Sequence, residues 1–267
     1  MLSLKKKLEE DMYPFTIFAD VDLYTCLVAL AVLCALFTLR VLTTKYDISV
    51  KLYNFTLVCG TLSIMVGFLS ASFFQALYNI KELGRFELAN TTGMTFLGGL
   101  LGGAFVFLSI YFGVGAFLFK DGENIKSFGN IANIGACCIC IAHSIGRIGC
   151  LMAGCCHGKR ADGFFGIYNH VVGYKTLPVQ LYEAIFLIVL FVILLKLLEK
   201  GKNTISIYLI AYAIWRFFAE YLRADDRGQT LIDILTPSQL ICIPMLALGV
   251  LILILSKKGY KNENKTE

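Results

Sequence analysis

The sequence predicts an all-α fold, a polytopic integral membrane protein of about seven transmembrane helices. Three observations carry that expectation. Hydrophobic residues make up 57% of the 267 positions, and the mean hydropathy is +0.72, a composition foreign to soluble domains. Seven apolar segments approach or exceed the roughly 20 residues a helix needs to cross about 30 Å of hydrocarbon. The connections between them are short and polar, with no linker, repeat or low-complexity stretch, so residues 1–267 read as one integral-membrane domain.

The segments cover residues 22–42, 54–79, 92–119, 129–153, 178–198, 204–222 and 237–256. The charged start, M-L-S-L-K-K-K-L-E-E-D, lacks the adjacent apolar core of a cleavable signal, so the first span is expected to act as its own insertion signal. From Tyr13 to Tyr24 aromatics mix with Asp20 and Asp22, as in an interfacial segment. The second span ends in S-A-S-F-F-Q-A-L-Y-N, which sets Gln75 near the interface. The third carries G-M-T-F-L-G-G-L-L-G-G, whose small residues permit close helix packing. The basic tail K-K-G-Y-K-N-E-N-K favours a cytoplasmic C-terminus. Seven spans then put the N-terminus outside, with the turn at residues 155–166 and the loop at residues 223–229 on the outer face.

The fourth span holds the most informative stretch, I-A-H-S-I-G-R-I-G-C-L-M-A-G-C-C-H-G-K-R-A-D-G-F-F-G, residues 141–166. Arg147 lies inside the apolar run, where a charge costs about 2.5–3.5 kcal/mol to insert and so marks a polar cavity. His143, Arg147 and Cys150 share one helical face. A guanidinium presents a planar fork of donors that matches phosphate, so Arg147 reads as an anion ligand rather than a structural group. His143 reads as structural. The fifth span opens with T-L-P-V-Q-L-Y-E: Pro178 suits the first turn, Gln180 and Glu183 follow, and Tyr182 stands at interfacial height. Glu183 either snorkels outward or pairs with Arg147. In the sixth span Tyr208, Tyr212, Arg216 and Glu220 recur every four residues as a polar ladder, with Arg223 one turn beyond. The seventh span, after T-P-S-Q, reads as scaffold.

Composition also excludes functions. The net charge of +5 comes from scattered lysines, with no basic block for nucleic acid. Of ten cysteines, seven (Cys26, Cys34, Cys59, Cys137, Cys138, Cys140 and Cys242) lie in apolar runs, where cysteine behaves as a small hydrophobe. Cys150, Cys155 and Cys156 cluster near a polar turn, yet C-x4-C-C-H is not a common zinc spacing, and adjacent cysteines do not easily ligate one tetrahedral ion. No metal and no cofactor are expected. Packing or a vicinal disulfide is favoured there, and a reactive thiol beside Arg147 or Lys159 stays open. Two intramembrane arginines facing one cavity suit a phosphate-bearing ligand, and the abundant candidate is a phospholipid headgroup.

G-R-I-G with its glycine-rich turn, then P-x-Q-L-Y-E, then Y-x-x-x-R-F-x-x-E-x-x-R, in that order, resembles the bacterial prolipoprotein diacylglyceryl transferases. The resemblance covers spans two to seven. It implies a seven-helix enzyme of the bacterial cytoplasmic membrane that moves diacylglycerol from phosphatidylglycerol onto the lipobox cysteine of a prolipoprotein, releasing glycerol phosphate. By that resemblance Arg147, Tyr212, Arg216 and Glu220 are the catalytic candidates. Tyr24, Cys150, Gly158, Gln180, Tyr182, Glu183 and Arg223 are the substrate-binding ones. Four departures stand out: Leu97 replaces the family's histidine in F-H-G-G, Cys150 and Ala153 replace two asparagines of its signature, and Cys155 replaces a glutamate. The alternatives are a relative that binds phosphatidylglycerol for another acceptor or only binds and transports lipid, and a thiol-redox protein built on Cys150, Cys155 and Cys156.

Overall fold

The computed structural model describes residues 16–18, 21–83, 96–224 and 235–263. The expectations for Tyr13, Asp20, residues 93–95, residues 225–229, the extreme C-terminus and the side chains of Gln75 and Leu97 lie outside the described residues. Among the described residues, seven helical stretches are long and apolar enough to cross a membrane: Leu23–Lys45, Val50–Phe74, Gly98–Leu118, Phe128–Met152, Val179–Glu199, Thr204–Leu222 and Ser238–Ser256. They are the seven segments read from the sequence, with ends moved by a few residues. The chain is a multi-pass membrane protein whose spans are all helical. Large apolar side chains stand open along these helices (Phe37 is 72% and Phe117 82% exposed), as lipid-facing residues must.

The elements in order are a short antiparallel pair, β1 (Thr16–Phe18) and β2 (Val21–Asp22); α1 (Leu23–Lys45); α2 (Val50–Leu83); and α3 (Phe96–Leu108), which passes through a π-helical turn at Ser109–Val114 into α4 (Gly115–Leu118). The short α5 (Glu123–Lys126) and the long α6 (Phe128–Met152) follow. Then come a hairpin of β3 (Ile167–Asn169) and β4 (Tyr174–Thr176), α7 (Val179–Glu199), α8 (Thr204–Ala219) with a 3₁₀ turn at Glu220–Leu222, and α9 (Pro237–Glu263). The chain divides into two compact units, residues 40–131 and residues 1–39 with 132–267.

In the 40–131 unit, small residues decide the packing. A Cβ on Gly67 of α2 would stand 3.1 Å from the Gly99 carbonyl of α3, and one on Gly103 3.1 Å from that of Ser63. Without a hydrophobic driving force in lipid, such backbone approach is what holds helices together. The glycine run of span three is packing, as read. Leu52, Phe55, Cys59, Tyr111, Phe119 and Ile131 form the core of this unit. Tyr111 sits on the π-helical turn, fully buried, and donates to the Asn124 carbonyl (2.9 Å), while Asn124 Nδ2 donates back to the Tyr111 carbonyl (3.2 Å). The Tyr111 hydroxyl and the Asn124 amide nitrogen are thereby satisfied inside the core.

In the other unit, α7 buries Val179, Gln180, Glu183, Leu187, Leu190, Leu194 and Leu198 along one stripe. Helix α8 starts at an Asn203 cap whose side chain accepts from Ser206 N–H (3.1 Å). Its first turn is tied to α6: Thr204 Oγ1 donates to the Asn133 carbonyl (2.8 Å), and Ile205 N–H donates to Asn133 Oδ1 (3.1 Å). The Cys140 thiol of α6 donates to the Leu187 carbonyl of α7 (3.2 Å). On α9, a Cβ at Gly249 would meet Ile210 of α8 at 2.9 Å. Helices α6, α7, α8 and α9 are thus joined in pairs, and three of their apolar stripes carry ionisable side chains inward.

Where the sequence suggested a glycine-rich turn after α6, the chain builds a small cap. Gly154 (φ +66°) and Cys156 (φ +59°) are both left-handed and fold it back. Strands β3 and β4 pair in register Ile167–Thr176, Tyr168–Lys175 and Asn169–Tyr174. Gly158 and Arg223 form an antiparallel bridge, with Lys159 N–H on the Leu222 carbonyl (2.9 Å). The cap therefore clips the end of α6 to the end of α8.

Candidate active site

The polar stripes of α6, α7 and α8 meet. Arg147, four residues after His143 on α6, approaches Glu183 of α7 with Nε 3.0 Å from Oε2; the arginine side chain is 11% exposed and the glutamate fully buried. This is an ion pair by distance, with the N–H not aimed along it as a hydrogen bond. Of the two readings left open for Glu183, pairing with Arg147 is the one found. A carboxylate this deep has no water to snorkel toward.

Glu183 has two further neighbours. Tyr212 of α8 donates to Oε1 at 2.8 Å, and His143 Nε2 lies 3.6 Å from the same oxygen. His143 and Tyr212 also face each other, Nε2 to hydroxyl at 3.5 Å with the rings edge to face, centroids 4.9 Å apart. Tyr208 stacks on Tyr212 at 5.9 Å with nearly parallel rings. One buried carboxylate thus gathers an arginine, an imidazole and a phenol from two other helices. His143, read from sequence as structural, belongs to this centre. The signal was its i, i+4 relation to Arg147, outweighed because the arginine alone accounts for a cavity.

A second group forms at the end of α8. Arg216 Nη2 lies 2.6 Å from Glu220 Oε2 and donates to Ser238 Oγ of α9 at 2.8 Å. Arg223 Nε stands 4.0 Å from the same glutamate oxygen. Arg216 Nη1 is buried with no hydrogen-bond partner among the described residues. The ladder read along span six is present, and Ser238 of α9, the span read as scaffold, accepts a hydrogen bond from its arginine. Serine in T-P-S-Q reads as a helix start, and nothing local shows that it meets Arg216.

The remaining candidates sit around the turn. Gln180 Nε2 donates to the Cys155 carbonyl (2.5 Å), and Asn169 Nδ2 donates to the Gly154 carbonyl (2.8 Å), so both side chains hold the turn. Gly158 has no room for a side chain: an added Cβ would lie 2.6 Å from Val179 Cγ2 and 2.7 Å from the Leu177 carbonyl oxygen. The ring of Tyr24 covers Gly149, where a Cβ would stand 3.2 Å from the ring. Tyr182 is set apart, its hydroxyl donating to the Phe165 carbonyl at 3.4 Å. A small cleft under the hairpin is lined by Met152, Gly154, Tyr168, Asn169 and Gln180, and none of the arginines reaches it.

Cys150, Cys155 and Cys156, none of them in a disulfide, converge in the turn, their sulfurs all within 4.8 Å of one another. Hydrogen bonds from the Cys150 and Cys155 thiols, and then the Arg223 guanidinium, hold the Cys156 thiol well below its usual pKa; Cys155, hydrogen-bonded to the other two sulfurs, is pushed up.

Buried cations beside tyrosines and carboxylates, in a bundle that is otherwise apolar, can bind a phosphate and stabilise charge that gathers on it. The model of the prolipoprotein diacylglyceryl transferase family matches residues 13–255. Among named relatives, phosphatidylglycerol–prolipoprotein diacylglyceryl transferase 2 of Clostridium perfringens is 35% identical over 63% of this chain and 65% of its own length. The corresponding transferase of Clostridium tetani is 33% identical over 43% of this chain and 48% of its own. That of Streptococcus pneumoniae is 27% identical over 90% and 89%. The matched region thus spans about two thirds and about half of the two clostridial relatives.

Proposed function

The chain belongs to the prolipoprotein diacylglyceryl transferase family, and from that membership we propose that it transfers the diacylglyceryl group of phosphatidylglycerol to the lipobox cysteine of a prolipoprotein. The named relatives carry that activity in their names. The observation that supports it most is the buried polar centre: Arg147, Glu183, His143 and Tyr212 joined across three helices, with Arg216 Nη1 a buried donor that has no partner among the described residues. A structural ion pair would not need a guanidinium N–H left open in a dry site, since an unsatisfied buried donor is costly.

In this reaction the acceptor sulfur attacks carbon three of the glyceryl unit. The bond from that carbon to the phosphate oxygen breaks, a thioether forms, and the leaving oxygen takes the electron pair as glycerol phosphate. Arg216, held by Glu220 and Ser238, donates through its open Nη1 to the phosphate. Arg147, oriented by Glu183, donates from its outer nitrogens. Removing one such donor costs on the order of a hundred- to a thousand-fold in turnover. The thiol proton goes to His143, whose Nε2 stands within 3.6 Å of both Tyr212 and Glu183. That assigns the role of the family's F-H-G-G histidine, Leu97 here, to a residue one turn before Arg147. The substrates imply a bacterial cytoplasmic membrane, with the lipobox peptide arriving at the outer face.

The test uses purified protein, labelled phosphatidylglycerol and a lipobox peptide. Glycerol phosphate release should require the peptide's cysteine, disappear in Arg216→Ala, and fall about a hundred-fold or more in His143→Gln. Unchanged turnover in Arg216→Ala overturns the phosphate role. Lipid bound without release, with or without peptide, points instead to a lipid-binding relative.

A further inference from the structure

We propose that Cys150, Cys155 and Cys156 form a binding site for a thiophilic d10 cation, Zn(II) or Cu(I), held by three thiolates. Sequence spacing argued against this, because neighbouring side chains on an extended or helical backbone point apart. The backbone here is neither. Gly154 at φ +66° and Cys156 at φ +59° are left-handed within three residues, and the second is a conformation that a residue with a Cβ rarely adopts. That bend swings the Cys155 and Cys156 thiols to the same side. It brings them to Cys150 at the end of α6, so that all three sulfurs lie within 4.8 Å of one another.

The spacing suits the ion. With metal–sulfur bonds of about 2.3 Å, thiolates around one tetrahedral ion stand roughly 4 Å apart, a distance that small side-chain torsions reach from here. Among the described residues this is the one group of three ligating side chains that converges. The surroundings meet the other requirements of such a site. The backbone that carries the ligands is pinned by Gln180 on the Cys155 carbonyl and Asn169 on the Gly154 carbonyl, as outer-shell partners pin metal ligands. Arg223 contacts the Cys156 sulfur and offsets the net negative charge that three thiolates leave on a mono- or divalent ion. Cys155 is exposed, which gives the ion a way in. Three protein ligands also leave a fourth position open to water or to a small ligand, the pattern of reactive rather than closed sites. Each thiol that ligates releases its proton.

The experiment uses the full chain in detergent, reduced and stripped with a chelator. Zn(II) alone is titrated against a chromophoric chelator, and Cu(I) under argon against a Cu(I) chelator; the tighter arm identifies the ion. Co(II) serves as an optical probe, because cysteine ligation gives a thiolate-to-metal charge-transfer band. One equivalent should bind per chain with that band present. Cys155→Ser and Cys156→Ser should each weaken binding roughly ten- to a hundred-fold, while Cys26→Ser should not. Cys155, on an exposed turn, keeps the test decisive if Cys150→Ser does not fold. Equal uptake by wild type and a Cys150/Cys155/Cys156 triple serine variant overturns the proposal. So does mass spectrometry that finds two of these sulfurs joined as a disulfide in freshly isolated membranes.

Discussion

Glu183 is the residue on which the polar centre turns. It is fully buried and meets Arg147, Tyr212 and His143 from two other helices. A buried pair is weak evidence for stability taken whole, yet removing one partner leaves a bare charge and costs about 3–5 kcal/mol. Glu183→Leu and Arg147→Leu should therefore each lower the thermal midpoint in detergent sharply, while the double variant recovers most of the loss. Additive losses in that double-mutant cycle would show that the pair is not coupled. The arginines, tyrosines and carboxylates of this site were legible because charge inside an apolar run is conspicuous. The pairing of Glu183 with Arg147 stood as one of two open readings, since helical spacing ranks neighbours within one helix and is silent between helices. The contacts of Ser238 and His143 stayed hidden for the same reason: each meets a side chain more than 20 residues away, Arg216 and Glu183 respectively.

At the scale of elements, hydropathy found all seven spans, and the glycines of α3 behaved as packing residues. The cap after α6 was less visible. Its strands hold three residues each, too few for alternation to register. The cap is fixed by contacts with α8 rather than by local pattern. Gly158 is the place to test it, because a methyl group there would run into Leu177 and Val179. Gly158→Ala should separate the cap from α8 and cost several kcal/mol, read as a lower thermal midpoint and faster proteolysis between Gly158 and Thr176. Gly163→Ala, in open space on the same segment, should stay within about 0.5 kcal/mol of the parent. Equal behaviour of the two would remove the case for a close fit at Gly158.

Across the whole molecule, the buried ionisable groups described above are concentrated in the unit of residues 1–39 and 132–267, where α6, α7 and α8 carry them inward. The 40–131 unit holds its helices by glycine contacts and a dry aromatic core. The meeting of Arg147 and Glu183 also governs how the chain reaches the bilayer. Each of these charges alone would cost on the order of 2.5–3.5 kcal/mol to pass from the translocon into lipid. They lie at the adjoining ends of consecutive spans, joined only by the cap. Helices α6 and α7 should therefore leave the translocon together, as a hairpin whose opposite charges cancel before lipid surrounds them. In a glycosylation-mapping assay, α6 should integrate poorly as a lone segment and well when α7 follows. Replacing Glu183 with leucine, which makes α7 more hydrophobic, should paradoxically make α6 integrate less. Biogenesis of this protein should then advance in units of two helices at the point where its buried charges pair.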